Sequence, residues 1–373
     1  MPENKKILLI TRPIAPPWDE ASKNFAYYLA KNITSVEINL LTNGLVADLP
    51  PNVRQRAIYT SNHLSWIQRA RLLKLMHIKK DFDIMHFMLT PNKLNAFGFK
   101  TFVKSKHART IQTIATLRED LFKDEEYKEM LFADLIITYS DYAKNKLNGL
   151  GFRNVKRVYP GIDLEYYSPQ EKDLSALKDL GLDKKNFIVT FPGEYVRLGA
   201  TDDIVQMIID QASAFRERDI KIVFACRLKN DPVAMEKKEA VVKKLTENKA
   251  MDRAVFLDIF SDMSKLYNLS DVIIFPVRNM HGKFDVPLAA VEPMACEKPV
   301  IVSDLPILKE FASEKNSITI HAGNTQELAQ AIFDLQNNPD KRTSLGKEGR
   351  KFCQEHLDIK QVAHIYEQIY QKL

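Results

Sequence analysis

Ser270-Asp271-Val272-Ile273-Ile274-Phe275-Pro276 and Lys298-Pro299-Val300-Ile301-Val302-Ser303 are two short apolar runs, each flanked by turn-forming residues. Such runs are too short for helices of ordinary length and read as strands buried on both faces. Residues 287–296 lie between them, opening on a proline and continuing as Leu288-Ala289-Ala290-Val291-Glu292, a composition that favours a helix. Strand, helix and strand within about 30 residues make a βαβ unit, so the two strands are expected to run parallel.

Working outward, the same alternation covers the chain. In the second half strands are expected at 187–191, 220–225, 255–257, 272–275, 299–303 and 317–320, with helices at 202–215, 235–248, 263–269, 287–296, 306–312 and 325–336. In the first half strands are expected at 6–10, 36–41, 84–87, 110–115, 135–139 and 156–158, with helices such as 21–32, 124–132 and 141–150. Two successive runs of this kind predict two doubly wound, Rossmann-like α/β units, with ligands in a crevice at the strand carboxyl ends. Residues 159–185 open on the turn Pro160-Gly161, contain Pro169 and carry little periodicity, which places the boundary there. The expected division is 1–165, 166–350 and a terminal helical segment 351–373 that packs back on the first domain. That helix belongs to a stretch, 345–373, whose Val362, Ile365, Tyr366, Ile369 and Tyr370 recur on one side.

At 373 residues the chain exceeds a single core, and 45% apolar with 27% charged residues is a globular composition without low-complexity tracts. The run Ile7-Leu8-Leu9-Ile10 is too short for a signal-peptide core or a membrane span, and no later stretch reaches the length of a spanning helix. Cys226, Cys296 and Cys353 are scattered and lack metal-ligand spacing, which suits a reducing, cytoplasmic setting and buried thiols better than a catalytic one. Charge is uneven: residues 1–160 carry about +10 and the remainder about −4, against +6 overall. Between Val53 and Lys80 stand Arg54, Arg56, Arg69, Arg71, Lys74, Lys79 and Lys80, interleaved with Leu64, Trp66, Ile67, Leu72, Leu73 and Leu75. This stretch reads either as a solvated surface helix or as a patch for an anionic membrane surface or an anionic, lipid-linked acceptor. No nucleic-acid-binding motif accompanies it.

Three segments resemble the retaining glycosyltransferase family four, also called glycosyl transferases group 1. They are Ala133-Asp134-Leu135-Ile136-Ile137-Thr138-Tyr139-Ser140 with Val158-Tyr159-Pro160-Gly161-Ile162-Asp163, then 266–276, then Val291-Glu292-Pro293-Met294-Ala295-Cys296-Glu297-Lys298-Pro299-Val300. The resemblance implies a GT-B fold with the terminal helix crossing back onto the first domain. It also implies transfer of a sugar, a hexose for preference, from a UDP- or GDP-sugar to a saccharide or lipid-linked acceptor with retention of configuration, by front-face attack, in surface polysaccharide or glycoconjugate synthesis. A cytoplasmic enzyme, peripheral on the inner face of the membrane, would fit that role. No carboxylate cluster suggests a metal, so positive side chains and helix N-termini are expected to hold the pyrophosphate.

Residue by residue, Glu292 matches the second glutamate of the family's paired motif, which hydrogen-bonds the donor ribose; the alternative is a helix glutamate favoured by the dipole. The first glutamate should stand at Phe284. Asp285 beside it either contacts donor hydroxyls, helped by the backbone of Lys283, Val286 and Pro287, or caps the helix starting at Pro287. The family's glycine-arginine and lysine-glycine pairs correspond to Gly193-Glu194 and Leu198-Gly199, leaving Arg197 and Arg227 as the cations for phosphate, with Lys229 and Lys283 as alternates. His86, in Asp83-Ile84-Met85-His86, is read as part of the cleft wall or as a contact to the transferred sugar. The loop after the first strand lacks the family's glycines, and Trp18, Asp19, Ser22 and Lys23 are expected either to line the acceptor pocket or, for Asp19, to cap the next helix. These departures motivate a second reading, a degenerate GT-B binding or scaffold subunit.

Overall fold

The computed structural model describes residues 5–16, 20–60, 65–78, 82–103, 108–228, 231–258, 260 and 262–373. Its elements run β1 (Lys6–Ile14), α1 (Ala21–Asn32), β2 (Glu37–Thr42), β3 (Val53–Arg56), α2 (Trp66–Ile78), β4 (Ile84–Phe87), α3 (Lys93–Val103), β5 (Arg109–Ile114), α4 (Asp124–Met130), β6 (Leu135–Thr138), α5 (Asp141–Gly149) and β7 (Val155–Arg157). There follow α6 (Leu174–Asp179), β8 (Phe187–Phe191), α7 (Ala200–Asp210), α8 (Ala212–Glu217), β9 (Ile220–Ala225), α9 (Pro232–Glu247), β10 (Ala254–Leu257), α10 (Met263–Leu269) and β11 (Val272–Phe275). The chain ends with α11 (Leu288–Ala295), β12 (Val300–Ser303), β13 (Ser317–Ile320), α12 (Thr325–Asn337), α13 (Pro339–His356) and α14 (Ile359–Lys372).

Two compact units result. Unit 1 comprises Met1–Asp163, Gly282–Asp285 and His356–Leu373, and unit 2 comprises Leu164–His281 and Val286–Glu355. Each holds one all-parallel sheet, ordered β3-β2-β1-β4-β5-β6-β7 in unit 1 and β10-β9-β8-β11-β12-β13 in unit 2. The strands are apolar because helices cover both faces; every residue of β4, β8, β11 and β12 is buried. In both sheets the order reverses beside the first strand, at β1/β4 and at β8/β11. Chains leaving neighbouring strands there turn to opposite faces, which opens a crevice at the carboxyl ends.

Helix starts follow local chemistry. Ser140 accepts from the Ala143 amide to cap α5, Asp231 caps α9 just ahead of Pro232, and Asn324 and Asp358 cap α12 and α14. The Asp358 cap corrects the expectation of continuous helix over 345–373, since α13 and α14 are separate. In α14, Val362, Tyr366, Ile369 and Tyr370 enter the core of unit 1, whereas Ile365 is exposed. Glu367 Oε1 accepts the amides of Thr34 (2.6 Å) and Ser35 (2.8 Å), fixing the helix on the end of α1. Gly161 is required for that docking, because a Cβ there would stand 2.8 Å from the Ile359 Cα.

Other expectations shift as well. The stretch beginning at Val53 enters as edge strand β3 and becomes helical only at Trp66. Leu64, Lys79 and Lys80 lie outside the described residues. Residues 202–215 divide at Gln211 into α7 and α8, and 306–310 form a 3-10 turn in place of an α-helix. No helix among the described residues is long and apolar enough to cross a membrane.

Candidate functional site

The site in unit 2 is built on the strand-order reversal. The chain leaving β8 runs Pro192-Gly193-Glu194-Tyr195-Val196-Arg197-Leu198-Gly199 into the start of α7. Gly193 has a packing reason to be glycine: a Cβ would fall 2.0 Å from the Phe191 ring. Gly199, the N-cap of α7, has φ of +77°, a conformation costly for a residue with a side chain. The chain leaving β11 supplies Arg278, whose amide donates to the Leu198 carbonyl at 2.7 Å. Its side chain lies against the bare faces of Gly199 and Gly323 and reaches Asp203 in the first turn of α7, through two hydrogen bonds of 2.6 and 2.8 Å. The two loops of the reversal are thereby tied together by one arginine.

Arg197, expected as the principal phosphate cation, is held instead by Glu194, with Nε and Nη2 donating at 2.6 and 2.7 Å. The carboxylate stands where the family pattern has arginine; Arg197 is exposed and Glu194 half-buried. Arg227 is half-buried just beyond β9, and Lys229 lies outside the described residues.

Glu292 sits in α11 and is buried. The Tyr267 hydroxyl donates to its Oε2 at 3.2 Å, and the Tyr167 hydroxyl donates as well. Burial dominates over these two donors and raises the carboxyl group from 4.5 to about 7. Glu292 is thus no surface glutamate of a helix terminus. Pro293, next to it inside α11, removes an amide donor from the helix. Val286 is core, and Pro287 is the N-cap residue of α11.

Three predicted residues belong to unit 1. Asp285 does not cap α11, which corrects one of its two readings. Its amide donates to the Ala115 carbonyl (3.0 Å) and its Oδ2 accepts from the Ser140 hydroxyl (2.5 Å), so it is docked beyond β5 and β6. Phe284 packs edge-on against Tyr139 beside it, and Lys283 is half-buried. His86 is fully buried in β4. Its Nδ1 pairs with the Tyr370 hydroxyl and its Nε2 with the Thr113 hydroxyl, both at 2.7 Å, and its ring stacks on Tyr366. With both nitrogens spent inside the core, the ring has no edge left for a sugar, and the reading of His86 as a substrate contact is corrected to a structural one. Burial pushes it down to about 3, so it stays neutral.

At the reversal of the first sheet, Lys23 is buried in the first turn of α1 with Nζ 3.4 Å from the Ala15 carbonyl, while Trp18 and Asp19 lie outside the described residues. All three cysteines are buried, and the Cys296 thiol is pushed up to about 12, which removes a ready thiolate. Among the described residues no three His, Cys, Asp or Glu side chains are placed to hold a metal ion.

Sequence reasoning passed over Tyr167, Tyr267, Arg278 and Asp203. Arg278 was within reach, since it stands two residues past Pro276, at a strand end where the crevice rule places ligands. Nothing in the local sequence flags Tyr167, which is far from Glu292 along the chain.

Residues 186–338 match the family model described as glycosyl transferases group 1. The chain is 26% identical over 228 residues to the alpha-maltose-1-phosphate synthase of Mycolicibacterium smegmatis, covering 58% of this chain and 56% of that protein. It is 27% identical over 195 residues to the alpha-galactosylglucosyldiacylglycerol synthase of Streptococcus pneumoniae, covering 51% and 48%. The chain thus spans about half the length of the relatives it matches. In architecture it is similar to Anabaena HepE, solved in complex with UDP and glucose, at a TM-score of 0.77 and 15% identity over 99% of this chain and 100% of that one.

Proposed function

We propose that this chain of GT-B fold, whose residues 186–338 match the glycosyl transferases group 1 model, is a member of that family and moves a sugar from a nucleotide-sugar donor to a saccharide or lipid-linked acceptor. In that reaction the bond from the anomeric carbon to the phosphate oxygen breaks and a bond to the acceptor oxygen forms, while the acceptor proton leaves with the nucleoside diphosphate. Retention of configuration, hexose transfer, a role in surface polysaccharide or glycoconjugate synthesis and a cytoplasmic setting at the membrane's inner face belong to the same reading. The donor is a UDP- or GDP-sugar. The complex of HepE with UDP and glucose favours the first of these, and the diacylglycerol product named for the streptococcal relative favours a lipid-linked acceptor.

The observation that carries the reading is Glu292. A buried carboxylate aligned with the family's ribose-binding glutamate, and poised near neutrality between two tyrosines, suits reception of vicinal hydroxyls. Arg197 and Arg227 are the cations assigned to the diphosphate, acting through side chains without a metal, while Arg278 stays on Asp203 and holds the loop after β8. Activity should accordingly survive chelation. A panel of UDP- and GDP-sugars screened by thermal shift and calorimetry tests this, because ligand at one hundred times its dissociation constant stabilises by about 2.7 kcal/mol. One donor that binds the parent and fails with Glu292→Ala, and turns over with acceptor, is the expected result.

A second reading, a binding or scaffold subunit without turnover, is favoured by the Glu194–Arg197 pair at the phosphate end. It predicts donor binding with no transfer to any acceptor.

A further inference from the structure

We propose that unit 1 docks on an anionic lipid bilayer through the first turns of α2 and α3. Trp66 and Ile67 open α2 and are 71% and 66% exposed; Leu94 and Phe97 open α3 at 54% and 73%. The two helices pack against each other, and each begins on the side where the parallel strands end. The four side chains therefore share one rim of the unit. Four large apolar residues gathered at one rim leave a surface that monomeric proteins seldom carry without a partner. They are not a helix face awaiting a core: further along α2, Leu72 and Met76 are already buried against β1 and β4. Only the helix tips protrude.

Charge identifies the occupant. No acidic residue stands between Asp48 and Asp81. The cations of β3 are spent locally, Arg54 on Glu37 and Arg56 on Asn39. Those of α2 are not: among the described residues Arg69, Arg71 and Lys74 are paired with no carboxylate. The Arg69 guanidinium lies 5.1 Å above the Trp66 ring and Arg71 donates to the Ile58 carbonyl, while Lys74 is exposed. Tryptophan beside arginine, with aliphatic neighbours and no acid, is the composition that settles at a headgroup boundary. The patch also has an edge. At the start of α3, Lys93 is neutralised by Glu126 and Glu129 of the acidic helix α4. A protein partner would need a complementary acidic surface of defined shape, whereas a bilayer needs only density of negative charge and an apolar layer beneath.

The test uses the full chain and sedimentation with vesicles of phosphatidylcholine, alone or mixed with phosphatidylglycerol. Selective binding to the mixed vesicles is expected, weakening with salt. Each of Arg69→Gln, Arg71→Gln and Lys74→Gln should lower partitioning about fivefold. Trp66→Ala with Phe97→Ala should lower it at least about tenfold, since both side chains leave the apolar layer. Unchanged thermal stability and donor affinity in the same variants establish that they fold, and keep this outcome separate from the transferase reading. Equal binding to both vesicle types, or variants that bind like the parent, overturns the proposal. So does a dimer of the parent that becomes monomeric in Trp66→Ala with Phe97→Ala, which would assign the rim to a second copy.

Discussion

Replacing Glu292 by glutamine separates the effect of this carboxyl group on stability from its proposed role in donor binding. Unfolded, it ionises near 4.5; folded, near 7, because burial outweighs the donors Tyr167 and Tyr267. Between those values the folded state binds more protons than the unfolded state, so stability falls as pH rises. The contribution is fully present below 4.5 and is lost as pH climbs to about 7. A shift of this size corresponds to about 3 kcal/mol. Glu292→Gln does not titrate, so denaturation curves of parent and variant should diverge by about 3 kcal/mol in the variant's favour between pH of about 4 and about 8. Donor binding should run the other way. Ribose hydroxyls donate to the ionised form, so the parent must release a proton to bind, and its affinity should drop about tenfold per pH unit below neutrality. The variant should bind weakly and without that slope. Calorimetry in two buffers of different ionisation enthalpy reads the released proton directly. Donor affinity in the parent that ignores pH between about 5 and about 8, where about a hundredfold is at stake, or equal affinity in Glu292→Gln, would refute ribose recognition by this residue.

Glu194→Gln frees Arg197 from its carboxylate and should tighten donor binding several-fold, read by calorimetry, with little change in stability because Arg197 is exposed to water. His86 stays neutral down to about 3 when folded while its unfolded form protonates near 6.5, so its contribution is full above 6.5 and is lost on acidification at up to about 1.4 kcal/mol per pH unit. Urea unfolding across that range should show the slope, and Tyr370→Phe should cost about 1–3 kcal/mol by stripping a buried ring nitrogen of its partner. Gly161→Ala pushes a methyl against the Ile359 backbone and should destabilise by about 1–3 kcal/mol or more, with increased protease access to α14 as the readout.

The parallel sheets were legible because strands buried on two faces must be apolar throughout, and β8, β11 and β12 read so without ambiguity. Edge strand β3 was not, since Val53-Arg54-Gln55-Arg56 has one buried residue in four and looks like the start of a basic helix. The break between α13 and α14 was signalled by Asp358, a cap residue hidden within an otherwise periodic stretch. At the candidate site, the motif around Glu292 singled it out, but its burial between Tyr167 and Tyr267 was not legible. His86 did not reveal its role, because the partners that consume it, Thr113 and Tyr370, are distant in sequence. The same holds for Asp285 and Ser140. Local pattern fixes which strand end a residue occupies. Which hydroxyl lies opposite is decided by tertiary packing.

The start of α7 shows what a diphosphate would have to displace. A helix N-terminus attracts anions, yet here Asp202 and Asp203 already occupy the first turn, and Glu194 stands before it. Arg197 and Arg278 neutralise two of those three carboxylates. A phosphate entering this position meets arginines that are paired already, so binding proceeds by exchange of one bidentate partner for another. Exchange costs Arg197 about 1 kcal/mol at most, because Arg197 is exposed, Glu194 is half-buried and the released carboxylate resolvates. It is costly for Arg278, because Asp203 is only 6% exposed in its side chain and would be left as a buried, unpaired charge. On the proposed function the two arginines would divide the work: Arg197 as the mobile cation that changes partner, and Arg278 as the fixed one that holds the loop after β8 against the start of α7. On this account Arg278→Ala should lower stability first and donor affinity as a consequence, whereas Arg197→Ala should weaken donor binding in a protein as stable as the parent.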